Sequence, residues 1–248
     1  MRLYFIFLMI LFIPGLVLAQ DKLNEISVDR PGIAESPFTV APKNYQLETG
    51  FDYYKRTNEV VEFLPVTLFR TGISQAAELR VTVKHIHQKR PGLDVLGFSP
   101  ISLGIKTHII REKGWIPEMD ILADVIVPVG KSSLQPQNLG HDILLLFQNE
   151  LGEKTSLNYN LGLIWDGISE SEMYTSSFCL NYLTNDRFGL FIEYFNFIRK
   201  ADSREHGLDG GFTFLILPLI QADFSAGISL TDGKPNHFVS TGISFRVQ

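Results

Sequence analysis

Charged residues in this chain recur at alternate positions of otherwise apolar segments, beginning with NYQLETGFDYY at residues 44–54. There Glu48 and Asp52 share a parity with Gln46 and Gly50, while Tyr45, Leu47, Phe51 and Tyr53 hold the other. The same placement picks out Glu78, Asp120, Asp124, Glu193, Asp209 and Asp223 among the acids. The corresponding bases are Arg70, Arg80, Lys84, Lys106, Arg187 and Arg246. Gathered around a common axis, such groups do one of two things. They line a polar pathway whose acidic bias sets ion or solute preference, or they pair across the axis and brace a nearly closed structure.

Other reactive residue types lead less far. His85-x-His87 puts two imidazoles on one strand face, a geometry open to a transition metal, but no third ligand accompanies them. A surface pair at a strand end is the simpler reading. None of the six histidines has a serine at a spacing that suggests a hydrolytic pair, although such sites are recognised by geometry rather than by linear motif. Cys179 is the only cysteine, so no intrachain disulfide can form. It shares its parity with Thr175, Ser177 and Asn181 and reads as a small residue on the polar face. No glycine-rich phosphate loop or dinucleotide fingerprint occurs in a strand–helix context. No catalytic residue, metal or cofactor is therefore assigned.

The elements that would position these charges are strands. From residue 44 the chain breaks into segments of period-two patterning separated by turn chemistry. Strands are expected near 44–54, 60–70, 76–87, 99–110, 117–128, 142–151, 156–166, 173–183, 187–197, 206–215, 220–229 and 237–247. The segments 60–70 and 142–151 are apolar on both parities and carry the weakest signal. Connectors alternate in length: TGISQ, REKGW, GEKT, TND and LPL are short, whereas QKRPGLDVLG, PVGKSSLQPQNLGH, IRKADSRE and TDGKPN are longer. Short turns on one side and long loops on the other belong to an up-and-down barrel in an outer membrane.

Alternation alone leaves open which face looks inward, because a soluble sheet buries its oily face and a membrane barrel turns it to lipid. The glycines decide. Gly50, Gly104, Gly162, Gly189, Gly227 and Gly242 all keep to the polar parity. On a solvated surface glycine only weakens a strand, whereas inside a narrow barrel it makes room where side chains converge. The polar face therefore points to a lumen, and the chain is read as all-β, a transmembrane antiparallel barrel of about twelve strands. The alternative is a soluble periplasmic sandwich or lipocalin-like barrel, which leaves the glycines unexplained.

Composition agrees with export and opposes nucleic-acid binding. The 248 residues are 45% hydrophobic, with 19 Phe and 8 Tyr, and carry a net charge of −5, opposite to the basic face that nucleic acid requires. Residues 1–19 have the form of a signal peptide: Met1-Arg2, an apolar stretch at 3–18, and small residues ending at Ala19. Residues 20–43 have no period, contain Pro31, Pro37 and Pro42, and are expected to form an irregular periplasmic or lumenal segment. Residues 44–248 would be the barrel.

The order of short motifs adds a resemblance. VDRPGIAESPFTVAPKNYQLETGFDY, with Asp29-Arg30-Pro31, Glu35-Ser36-Pro37 and Gln46-x-Glu48-x-Gly50, is similar to the opening of an outer-membrane β-barrel family named for transport in the phenol meta-degradation pathway. PVTLFRTGISQAAELR resembles its second hairpin through Pro65, Leu68, Arg70, Gly72, Glu78, Leu79 and Arg80. HGLDGGFTFLILPLIQADFSAGISLT resembles its closing hairpin through His206, Asp209, Gly211, Pro218, Gln221, Asp223 and Gly227. The resemblance implies an outer-membrane barrel of transport function and names no substrate. The chain departs from many outer-membrane strands in ending FRVQ, with Phe245 as the nearest aromatic to the terminus.

These readings converge on passive transport of a small solute through a polar lumen, with both termini periplasmic. The partners would be outer-membrane lipid, the solute and the outer-membrane assembly machinery. Asp29, Arg30, Pro31 and Glu35 would lie in an ordered segment held against the inward charges. The competing readings are a closed structural or adhesive barrel acting through loops 88–97 and 129–141, and a membrane-embedded hydrolase.

Overall fold

The computed structural model describes residues 26–136, 138–199 and 204–248; the segment read as a signal peptide lies outside them. Thirteen strands follow in order. They are β1 (Tyr45–Arg56), β2 (Glu59–Ser74), β3 (Ala77–Arg90), β4 (Leu93–Phe98), β5 (Ile101–Ile110), β6 (Glu118–Val127) and β7 (Gly140–Gly152). There follow β8 (Thr155–Trp165), β9 (Met173–Asn185), β10 (Phe188–Arg199), β11 (Arg204–Leu217), β12 (Ile220–Thr231) and β13 (Lys234–Val247). Apart from β4 and β5, successive strands pair antiparallel, and β1 bonds to both β2 and β13, so the sheet closes on itself.

The ring has twelve positions because β4 and β5 share one. Both pair with β3, β4 along His85–Arg90 and β5 along Ala77–Thr82. Pro100, between them, has no N–H to give the ladder, while Ser99 still donates to the Lys84 carbonyl at 2.9 Å. The result is one long strand with a break.

This arrangement corrects the reading of residues 88–97 as a loop. They form a hairpin turning at Pro91-Gly92, with Gly92 at φ 77°. The contrast in connector length is also softer than the sequence suggests. TDGKPN is mostly strand around a two-residue turn at Asp232-Gly233, whose φ values of 50° and 78° suit a tight hairpin. The connection at 111–117 is long although it lies on the side of the short turns.

Burial is inverted relative to a soluble protein. Glu48, Arg70, Glu78 and Lys106 have no accessible surface, while Leu161 is 49% exposed and Ile192 59%. The apolar parity forms the outer surface, where aromatic rings stack from strand to strand, as in Phe147–Tyr159–Phe178 and Phe188–Phe212–Phe224. Such an exterior is stable only against lipid. The interior is not uniformly polar: Leu122, Leu146, Phe195 and Phe238 fill part of it. Phe195 and Phe238 meet there with ring centroids 5.9 Å apart, beside Gly207 and Gly227.

Candidate functional site in the barrel lumen

Residues 26–43 enter the barrel at the end where the chain's C-terminus lies, called here the terminal end. Ile26 N–H donates to the Pro218 carbonyl in the β11–β12 turn at 3.0 Å, and Pro42 bridges to Gly72 before β1 begins. Between these points the segment runs through the lumen. Pro37 and Val40 are almost completely buried.

Arg70 on β2 joins this segment to the wall. Its Nε donates to Glu78 Oε1 on β3 and its Nη1 to Glu48 Oε1 on β1, both at 2.8 Å. Towards the segment it donates to the Ser27 and Phe38 carbonyls at 3.2 and 2.8 Å, and it stands 3.1 Å from Asp29 Oδ2. Strands β1, β2 and β3 are consecutive and alternate side chains inward, which is why these three residues meet.

Asp29 is the segment's main anchor. Lys106 Nζ on β5 reaches both its carboxylate oxygens, at 3.0 and 2.8 Å, and Arg80 on β3 donates to it as well. The same carboxylate accepts from the Ser36 N–H and hydroxyl, folding the segment back on itself. Burial would push the Asp29 carboxyl up, but Arg70, Lys106 and Arg80 together hold it well below its ordinary value. Arg80 also pairs with Glu35 at 2.9 Å. Burial, with the nearby Asp29 charge, raises Glu35 in spite of that partner.

Two further contacts fix the segment's tip. Arg30 pairs with Asp52 at 3.3 Å, lies 3.6 Å from Asp223 and donates to Ser240 Oγ at 2.7 Å. On the opposite wall, Glu193 accepts the consecutive N–H groups of Ile33 and Ala34 at 2.7 and 2.6 Å.

The structure therefore brings Glu48, Asp52, Arg70, Arg80, Lys106 and Asp223 onto one ordered segment through Asp29, Arg30 and Glu35. Glu193 holds it through the Ile33 and Ala34 N–H groups, and Glu78 through the Val40 N–H. Pro31 enters through its carbonyl, which accepts from Ser225 Oγ. The remaining candidates lie elsewhere in the lumen. Asp209 faces Glu193 across β10–β11, Arg246 donates to Gln46 at 3.0 Å, and Asp120 receives His108 Nδ1 at 2.9 Å while fully buried. Asp124 faces a cavity beyond the segment.

Arg187 is a correction. It lies exposed in the β9–β10 turn, because β10 begins one residue later than the sequence pattern suggests. His85 packs edge-on against Phe98, and His87 bridges Glu62 and Asp94.

The cavity that Asp124 faces lies on the distal side of the segment and has a volume of about 510 Å³. Its roof is made by Leu134 and Pro136 of the β6–β7 connection and by Asp166 and Ile168 after β8. Asp166 holds that roof in place by accepting from the N–H groups of Ile168 and Ser169 and pairing with Arg199 at 3.2 Å. Burial would raise its carboxyl, but the Ser169 and Ile168 N–H groups and Arg199 hold it below its ordinary value. Sequence reasoning missed Asp142, which lines the cavity opposite Asp124. Its sequence signal was weak, since Asp142 opens a segment whose next five residues, Ile143 to Phe147, are apolar on both parities.

Residues 28–247 match the model of a protein family described as "Putative MetA-pathway of phenol degradation". The chain belongs to that family. The fold of this member is shared with solved outer-membrane barrels at low sequence identity. An outer membrane channel from Pseudomonas putida F1 superposes with a TM-score of 0.69 at 11% identity, covering 88% of this chain and 99% of that one. The NanC porin gives 0.55 at 8% identity, over 80% of this chain and 98% of that chain. The translocator domain of the autotransporter NalP from Neisseria meningitidis gives 0.53 at 10%, over 82% and 88%. At these identities the likeness is one of fold, and it places the family member among outer-membrane β-barrels. No curated protein matches the chain.

Proposed function

We propose that this barrel lets a small solute diffuse across the outer membrane through its lumen, with both termini periplasmic and residues 26–43 as a displaceable obstruction. The observation that carries the reading is how the segment is held. Its contacts to the wall are dominated by ion pairs and hydrogen bonds, and a cavity adjoins it on the distal side. A segment held in this way exchanges its contacts for water when it moves, at a lower cost than extraction of an apolar plug. The lumen-lining role falls to the inward charges named above, Asp124 foremost. Strand β13, with Phe245 and Val247 turned outward, would meet lipid and the assembly machinery. The chain acts in this reading as a conduit and not as an enzyme.

Conductance of the purified, refolded protein in planar bilayers tests the proposal. The intact chain should show small, intermittent conductance, and a chain lacking residues 26–36 should show a larger, steadier one. The density of buried ion pairs around Arg70 favours a second reading, a closed structural barrel acting through its distal loops. Bilayers silent with both chains would establish that reading in place of the first.

A further inference from the structure

The distal cavity sets an apolar surface against two carboxylates that form no ion pair among the described residues. At about 510 Å³ it is the size of a small-molecule site. Phe63, Ile126, Leu134 and Ile168 give it apolar walls. Asp124 on β6 and Asp142 on β7 are direct cross-strand partners, and both line it. Gly104, in register with Asp124 on β5, leaves the space its carboxylate occupies.

Like charges placed directly opposite on adjacent strands repel, so this pairing weakens the empty barrel. Among the described residues neither aspartate forms an ion pair, and the Oδ1 atom of each is shut off from solvent with no hydrogen-bond partner. A carboxylate oxygen withdrawn from water without compensation is costly. The other acids of the cavity are already matched, Glu35 by Arg80 and Asp166 by Arg199.

Of the cavity's cations, Arg30 and Arg80 are committed to Asp52, Asp29 and Glu35. Lys84 is not. Its Nζ lies over the Phe63 ring, 5.7 Å from the centroid, and among the described residues it has no carboxylate partner. Counted in their ionised forms, Asp124 and Asp142 against Lys84 leave a formal charge of one negative in a partly apolar chamber.

We infer that the cavity binds a small organic monocation, a primary ammonium on an apolar body, with Asp124 and Asp142 receiving the ammonium. The charge balance asks for one positive charge. The ammonium supplies three donors for carboxylate oxygens on two strands, and the Phe63 and Ile126 walls take the apolar body. A hydrated divalent metal ion would leave those walls unused and would find two carboxylates where six to eight oxygens are customary. No group of three potential metal ligands occurs among the described residues. The inference rests on the conduit reading and names the class of solute that pauses on its way through.

Calorimetric titration of the detergent-solubilised mature chain tests it. The probes are 2-phenylethylammonium, its neutral counterpart 2-phenylethanol, the anionic 3-phenylpropanoate and the ring-less ethylammonium. The aromatic ammonium should bind about tenfold or more tightly than each of the others. Asp142→Asn should lower its affinity by about tenfold while leaving 2-phenylethanol unchanged. Asp124→Asn serves if the first variant fails to give a heat-modifiable folded band. Equal binding of the anion, or undiminished ammonium binding in the folded variant, would overturn the site. A barrel that conducts ions yet ignores the ammonium loses the site and keeps the conduit. One that binds the ammonium but stays silent without residues 26–36 loses the conduit and keeps the site.

Discussion

Gly50 and Gly242 stand in register across the β1–β13 closure, and the Arg30 guanidinium lies against both. A Cβ at either position would collide with Arg30 and with a backbone carbonyl of the neighbouring strand. The two glycines thus form the flat floor on which the N-terminal segment is fastened.

Gly242→Ala should therefore loosen the segment, by about 1–3 kcal/mol as for other overpacked sites, and lower the hydrogen-exchange protection of the Ile33 and Ala34 amides. Combined with Arg30→Ala it should cost less than the two changes added together, since the collision partner is gone. Strict additivity in that double-mutant cycle would mean that Arg30 does not use this floor.

Asp29→Asn leaves Arg70, Arg80 and Lys106 with one fewer buried counter-charge and should destabilise segment docking by about 3–5 kcal/mol. The carboxyl is held below its ordinary value of 3.8. Its contribution is therefore complete above that pH and disappears as the pH falls through the depressed value. The stability difference between wild type and Asp29→Asn, measured by urea unfolding, should be flat from about pH 8 to pH 5 and shrink only in stronger acid. A difference that declines through neutral pH would contradict the ion-pair account.

Asp223 and Phe224 are neighbours on β12 with opposite surroundings, 3% and 39% exposed respectively. Phe224→Arg should cost about 2–4 kcal/mol if the ring lies near the bilayer midplane and less towards an interface. With Cys179 replaced, a probe on a cysteine at 224 should respond to lipid-borne quenchers, and a cysteine at 223 should not. A residue-224 probe indifferent to those quenchers in folded protein would reverse the assignment of faces.

Selectivity should separate two aspartates that the sequence treats alike. Asp124 faces the distal cavity, whereas Asp120 is fully buried against His108. In a conducting barrel, Asp124→Asn should shift the reversal potential under a salt gradient towards weaker cation preference, and Asp120→Asn should leave it in place. The opposite pattern would put the pathway on the terminal side of the N-terminal segment.

Much of this architecture is legible in the chain because period-two alternation follows from backbone geometry, residue by residue. It needs no knowledge of distant parts. NYQLETGFDYY shows its two faces unaided, and the glycine parity indicates that the polar face is crowded. The number of ring strands follows from counting such segments. The break at Pro100 and the hairpin at 85–98 were less visible, because QKRPGLDVLG centres on Pro91-Gly92 and its second arm, Leu93–Phe98, pairs with β3 alone.

The sequence by itself therefore determined the twelve ring positions, the polar and apolar faces of most strands, and the family. Only the tertiary structure decided what each inward charge meets. Asp29 gathers cations from β2, β3 and β5, and Glu193 receives two N–H groups from a segment without any period. Asp142 becomes the partner of Asp124 through strand register. Alternation is a local property of an extended backbone, whereas contacts across a lumen depend on closure, on register summed around twelve strand positions, and on the path of an irregular segment. None of these leaves a repeating mark along the chain.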